Sequence, residues 1–301
     1  AQNTFGAGTD VLVSLENLLG SSFSDALTGT ASRNVISGGA GHDTINGGSG
    51  NDTVNGDAGN DRLSGGFASG SGVDSVNGGA DNDTITDVNL NNPGDVFDGG
   101  TGEDTLIADF AFLDGVEFDL SWGWMKYAGT TFDTITNIEH LTVGGAAVVI
   151  GSAANNTITV RDTGAFNNNS IDAGAGNDLV VAGIGNDTVV GGADNDRLNG
   201  GSGNDYLDGG TGIDTLIGAA GNDLYSVDNP ADAIFETGTL AGEIDTVWST
   251  ISFMLGTNLE DLRLFGSASI SGTGNALANT ITGNVAANTL NGGTGADTML
   301  G

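Results

Sequence analysis

The sequence predicts an all-β chain, a parallel β-roll or β-solenoid of nine-residue half-turns joined by connector coils. Three observations carry the prediction. Gly-rich nonapeptides recur in register with an aliphatic residue at the eighth place, as in GGAGHDTIN from Gly38 and GGSGNDTVN from Gly47. Of 301 residues 54 are Gly and none is Cys, so the side chains are too small for several ordinary cores and no disulfide can help. Thirty-nine Asp and Glu stand against six Lys and Arg, a net charge of −33, or about one uncompensated negative charge per nine residues.

In chain order, residues 1–37 read as degenerate coils and a connector, GTDVLVSLENL at Gly8 followed by GSSFSDALT and GTASRNVIS. Residues 38–107 form a first array, with units beginning at Gly38, Gly47, Gly56, Gly65, Gly78 and Gly99 and a four-residue insertion, FASG, in the fourth. Residues 108–172 are a connector with an aromatic cluster and a degenerate unit, GSAANNTIT. Residues 173–226 form a second, unbroken array with units beginning at Ala173, Ala182, Gly191, Gly200, Gly209 and Gly218. A connector with degenerate coils follows over residues 227–291, and residues 292–301 start a further repeat, GGTGADTML.

Within a unit, positions one and two are small, four is usually Gly, six is Asp and eight is aliphatic. The first six positions are expected to make a tight turn, since Gly tolerates positive φ and lets carbonyls approach a shared point. Positions seven to nine are expected to be a short strand with its middle residue inward, such as Ile45, Val54, Val189 and Leu198. Two half-turns close a coil, so Asp43 stacks on Asp61, and Asp178 on Asp196 and Asp214. Carboxylates stacked at strand spacing repel unless a cation lies between them. Calcium suits oxygen ligands from carboxylates and main-chain carbonyls better than magnesium does. Asp and Asn are also good turn formers on a solvated face, but that alone predicts scattered Asp rather than ninefold spacing.

These nonapeptides resemble the RTX (repeats-in-toxin) family of haemolysin-type calcium-binding proteins, whose GGxGxDx(aliphatic)x repeat covers roughly half of the chain. The resemblance implies a right-handed roll, export by type I secretion and folding on Ca2+, multiple ions per chain, outside the cell. It also implies metal ligands at Asp43, Asp52, Asp61, Asp74, Asp83, Asp104, Asp178, Asp187, Asp196, Asp205, Asp214, Asp223 and Asp297. Asp81 and Asp194 replace the fourth-position Gly, and Asn156, Asn279 and Asn288 replace the Asp; those Asn turns are expected to stack without a full metal site.

The connectors resemble one another. GTDVLVSLENL, FDTITNIEHL at Phe132 and IDTVWSTISFMLGTNLEDL at Ile244 each carry an Asp, aliphatics, and a Glu followed two residues later by Leu. They are expected to be further coils with a larger apolar core. The aromatic cluster of Phe110, Phe112, Phe118, Trp122, Trp124 and Tyr127 either anchors a protein or glycan contact or caps and widens the core, and aromatic burial statistics favour the second.

No H-E-x-x-H or G-x-S-x-G motif is present, and the two His, His42 and His140, stand isolated, so the chain is expected not to be an enzyme. Its acidity disfavours nucleic acid and anionic lipid, and no apolar run is long enough for a membrane span. The expected role is a secreted, extracellular or cell-surface calcium-binding roll of a bacterium, serving a surface layer, filament, matrix or adhesin. Its expected partners are copies of itself or other cell-surface proteins. The alternative is the folding and secretion module of a larger toxin or enzyme.

Overall fold

In the computed structural model all regular elements are short β-strands, with no helix among the described residues. The structure describes residues 2–3, 16–66, 72–87, 93–108, 115–127, 130–145, 147–161, 168–237 and 242–301. Two compact units divide the chain, Ala1–Gly145 and Ala146–Gly301, the division falling inside the connector expected over residues 108–172.

Each unit is a parallel β-solenoid in which successive strands alternate between two sheets, so that every strand pairs with the one a full coil later. In the first unit Val35–Ala40, Thr53–Ala58, Ser75–Ala80 and Val96–Thr101 stack in one sheet. The intervening Thr44–Asn46, Arg62–Ser64, Thr84–Asp87 and Thr105–Ala108 stack in the other. The second unit repeats the scheme with Ser170–Ala175, Thr188–Ala193 and Tyr206–Thr211 in one sheet and Leu179–Ile184, Arg197–Ser202 and Thr215–Ala220 in the other.

Many strands are longer than the three residues expected, although Thr44–Asn46 and Arg62–Ser64 keep that length. Thr188–Ala193 runs from position seven of one unit to position three of the next, which shrinks the turn to positions four to six. The two small residues at positions one and two are therefore strand residues, and Gly174, Gly192 and Gly210 pair in register. Close stacking requires them to be small: Gly192 has φ of 113°, and a Cβ there would collide with the carbonyl oxygen of Gly174. Where the sequence puts Asp57 or Ala219 at position two, or Asp81 or Asp194 at position four, the backbone still adopts positive φ, so the repeat geometry overrides the side-chain preference.

The core is correspondingly thin. Position eight supplies one column of buried aliphatics per sheet, Val180, Leu198 and Leu216 in one and Ile171, Val189 and Leu207 in the other, with small residues such as Ala173 and Ala182 between them. Burying each such aliphatic contributes about 1.5–3 kcal/mol. The later coils of the second unit are wider, as expected. A third sheet of Phe253–Met254, Ser271–Thr273 and Thr289–Asn291 appears there, and Leu255, Leu259, Leu264 and Ile270 join the core, although Ile251 stays half-buried.

One segment of the first unit departs from the parallel scheme. Val116–Asp119 pairs antiparallel with Trp124–Tyr127, which pairs antiparallel with Thr130–Thr136. The Asp119 carboxylate closes the tight turn by accepting from the Ser121 hydroxyl and the Trp122 N–H. This hairpin splits the aromatic cluster. Phe118 is core, whereas Trp122 at the hairpin tip is 82% exposed and Trp124 carries the Lys126 ammonium 4.6 Å from its ring centre. Phe110, Phe112, the Tyr127 side chain and the start of the connector at Gly8 lie outside the described residues.

The column architecture sets an expectation for stability. Leu198→Ala should lower the stability of the calcium-saturated chain by about 2–5 kcal/mol, while exposed Arg197→Ala should stay within about 0.5 kcal/mol. Urea unfolding followed by circular dichroism checks this.

Candidate metal centre

Every turn in the two arrays ends on its position-six Asp, whose place is set by the coil below. The backbone N–H of one position-six residue donates to Oδ1 of the Asp one coil on. Asp43 donates to Asp61 at 2.7 Å, Asp61 to Asp83 at 2.8 Å and Asp83 to Asp104 at 2.7 Å along one edge of the first unit. Asp52 donates to Asp74 at 2.8 Å along the other. In the second unit Asp178, Asp196 and Asp214 form one row, and Asp187, Asp205 and Asp223 the other, all at 2.8 Å. None of the twelve expected ligands from Asp43 to Asp223 is more than 4% exposed. The thirteenth, Asp297, is half-buried, and its Oδ1 accepts from the Asn279 N–H.

The second carboxylate oxygen is the unsatisfied one. Oδ2 of Asp43, Asp52, Asp61, Asp83, Asp104, Asp178, Asp196, Asp205, Asp214 and Asp223 is buried with no hydrogen-bond partner. It sits over the first residue of its own unit, Gly in all of these but that of Asp178. A Cβ on Gly56 would strike both Oδ2 of Asp61 and the carbonyl oxygen of Gly78 in the next coil, and Gly78 meets Asp83 and Gly99 in the same way. An anionic oxygen and main-chain carbonyls thus share a cradle over a small residue, Gly in most units and Ala at Ala173 and Ala182. Burying an unpaired carboxylate is costly, and no Lys or Arg forms an ion pair with these rows among the described residues.

Degenerate turns solve the same problem internally. At Ser21, Thr30, Ser152 and Asn275, the non-Gly residue at position two donates its N–H to the side-chain oxygen of Asp25, Asn34, Asn156 and Asn279, at 2.6–2.8 Å. The Ser21, Thr30 and Ser152 hydroxyls reach the same oxygens. Two chemical classes of turn result: those with Gly, Ala219 or Asp57 at position two, which leave an oxygen unpaired, and Ser, Thr or Asn turns that close on themselves. Their side-chain oxygen is already in use, which gives the Asn turns a reason not to need an ion.

Several participants escape a count by nines. Asp95 and Asp133 continue the second row of the first unit, accepting from Asp74 at 2.7 Å and Asp95 at 2.9 Å, and Asp245 accepts from Asp223 at 2.7 Å. The connector Glu residues also belong to the rows: Oε2 of Glu139 accepts from Asp104 and that of Glu260 from Asp245, both at 2.9 Å. The signal was present as Asp followed by alternating aliphatics and the Glu-x-Leu pattern, but insertions shift the count. A parallel outer row, built at position five, was also missed. The N–H groups of Asn177, Asn195, Asn204 and Asn222 donate to the side chains of Asn155, Asn177, Asn186 and Asn204. In the first unit His42 takes the equivalent position five, its Nδ1 accepting from Asn60. His140 is half-buried, with Nε2 at 3.6 Å from Glu103.

The electrostatics follow from this geometry. Burial pushes the carboxyls of Asp52, Asp178 and Asp214 up to about 6 and those of Asp83, Asp196, Asp205 and Asp223 up to about 7, the Oδ1 hydrogen bond offsetting part of the rise. Asp43, Asp61, Asp74 and Asp104 shift upward for the same first reason. Burial first, and then the nearby Asp133, Asp74 and Asp87, push Asp95 up to about 8. The donor set is carboxylate and carbonyl oxygen, without Cys and without His in the rows, so it fits a hard cation that takes six to eight oxygens. Such an ion would be held by Oδ2 and the neighbouring carbonyls, and its charge would replace the proton these carboxyls otherwise retain.

Parallel coils with two rows of buried, half-satisfied carboxylates define a cation-binding β-solenoid. Six stretches of the chain, residues 19–54, 41–69, 68–86, 163–198, 199–229 and 273–301, match the RTX calcium-binding nonapeptide repeat, four copies to the family model. Together they span more than half of the chain, which belongs to the RTX calcium-binding nonapeptide repeat family. No curated protein matches it significantly.

Two expectations follow. Asp196→Asn keeps an Oδ1 acceptor and removes the charge, so it should stabilise the calcium-free fold at pH 8 while raising the calcium midpoint for folding by roughly tenfold, as loss of one charged ligand implies. A calcium titration followed by circular dichroism checks it. For pH, the folded-state values lie above the ordinary 3.8. Without a cation these carboxyls therefore favour the fold fully below about pH 4, and that contribution is lost as pH rises through 6 to 7. Calcium needs the ionised form, so its apparent affinity should fall from pH 8 to pH 5. Equal midpoints across that range would contradict the assignment.

Proposed function

We propose that the chain is a secreted, non-enzymatic structural element that binds several calcium ions along its Asp rows and folds on meeting them outside the cell. The observation that carries this is the set of unpartnered, buried Oδ2 atoms: the folded rows are electrostatically incomplete without a cation. Extracellular calcium modules work in the range of 10⁻⁴–10⁻³ M, where charge count and rigidity set affinity. The net charge of −33 keeps the chain expanded and self-repelling when calcium is scarce. Family resemblance supports type I secretion from a bacterium as the route out.

A role in assembly, as part of a surface layer, filament, matrix or adhesin, is supported by apolar side chains presented to solvent. Trp122 stands 82% exposed at its hairpin tip and Val285 92% exposed on a turn, and exposed aromatics are favoured anchors of protein interfaces. Sedimentation velocity from chelator to several millimolar calcium tests both parts of the reading. Compaction followed by growth into larger species is the expected result. A compact monomer at every concentration would remove the assembly role and favour a folding and secretion module of a larger protein. An unchanged sedimentation coefficient would remove calcium-driven folding itself.

A further inference from the structure

Where the second array runs into its connector, one turn differs from the other described turns. The unit beginning at Gly218 carries Tyr225 at position eight, where other units have an aliphatic, and Tyr225 is fully buried in the core column between Leu207 and Val247. Its ring reaches across the coil, so that the hydroxyl lies where a Cβ on Gly218 would be, beside Oδ2 of Asp223. The hydroxyl donates to Oε2 of Glu236. Glu236 follows the strand Ala233–Phe235, which pairs with Thr215–Ala220 in the register Ile217 to Phe235. The next residue along each strand is Gly218 on one side and Glu236 on the other, so a carboxylate comes in where the repeat would have a first-position Gly.

Asp223, Glu236 and Asp245 consequently bring one carboxylate oxygen each to within 4.8 Å of one another. They are 1%, 7% and 2% exposed. Asp223 Oδ2 has no hydrogen-bond partner. No other turn among the described residues gathers three carboxylates in this way. Tyr225 is held protonated by burial and by the adjacent acids, so its hydroxyl adds a donor and no charge. Glu236 and Asp245 both lie outside the stretches that match the repeat.

We propose that Asp223, Glu236 and Asp245 form a separate calcium site, distinct in composition from the repeat turns, that binds more tightly than the rows and fills first. Charge count is the reason. A repeat turn offers one free carboxylate oxygen together with carbonyls, whereas this pocket converges three carboxylates, and calcium affinity rises with the number of charged ligands. Filling it pins the connector strand Ala233–Phe235 to the last turns of the array, so the first ion bound gives the remaining coils a formed end on which to stack. Tyr225 acts as a positioning residue, holding Glu236 through its hydroxyl.

The inference shares Asp223 and Asp245 with the row reading but depends on Glu236, which the rows do not use. Calorimetric calcium titration of the 301-residue chain, with magnesium as the comparison ion, tests it in wild type, Glu236→Gln and Asp196→Asn. Expected is one ion bound at least roughly tenfold tighter than the rest, lost in Glu236→Gln and kept in Asp196→Asn, with magnesium failing to replace it. If Glu236→Gln titrates like wild type while Asp196→Asn weakens binding, the separate site is wrong and the rows stand. If neither wild type nor variant binds calcium, both readings fall. Should Glu236→Gln not fold, anomalous diffraction from wild-type crystals at low calcium decides: a peak among Asp223, Glu236 and Asp245 supports the site, and peaks confined to the repeat turns overturn it.

Discussion

A buried carboxylate with one oxygen bonded and the other bare is the constraint on which both units depend. Oδ1 is fixed by the N–H of the coil before it, as in Asp178 to Asp196 and Asp196 to Asp214, which positions each turn and aligns its neighbours. Oδ2 is thereby aimed inward over the small residue at position one. The same side chain that organises the stack therefore creates a negative charge the stack cannot neutralise. Hydrophobic burial offsets little of this, because each half-turn contributes one aliphatic residue and one small one to a thin core. On the function proposed above, a bound cation would supply the missing charge and the fold would depend on it.

That condition is written turn by turn through the residue at position two. A Gly with positive φ, such as Gly192, leaves Oδ2 bare, while Ser152 or Asn275 turns its own N–H onto the side-chain oxygen and finishes the turn without help. Replacing Asp by Asn in those closed turns removes the buried charge as well. The chain thus alternates blocks with bare Oδ2 atoms and blocks whose turns are closed. Closed turns border both arrays, at Ser21 and Thr30 before the first and Ser152 before the second, so cation-dependent coils have neighbours that can hold their shape alone. Nucleation of a repeat array against a formed neighbour follows from its one-dimensional energetics.

Much of this was legible in the sequence because the coil repeats in steps of nine. The spacing alone places Asp43 beneath Asp61 and Val189 in the core. What escaped did so for physical reasons. Asp95, Asp133 and Asp245 sit 21, 38 and 22 residues from their row partners, since the sequence between them is longer than two units while the described strands keep register. Glu139 and Glu260 stand at the row position itself, directly before His140 and Asp261, which pair with Thr105 and Thr246, and they escape a search for Asp only because the carboxylate is a Glu. The six-residue strands were hidden because adjacent glycines read locally as turn, although here they are the narrow surface on which coils stack. The antiparallel hairpin at Val116–Asp119 interrupts the period and left only its aromatics as a sign.

The central claim is that the Asp rows are held together by calcium rather than by the protein's own contacts. Residue-resolved hydrogen exchange at pH 8, in chelator and then in millimolar calcium, tests it most directly by following the amides of Asp178, Asp196 and Asp205, each donated to the next coil. The account predicts that these amides exchange freely in chelator and become strongly protected when calcium is added. Amides already protected in chelator, and unchanged by the ion, would contradict it.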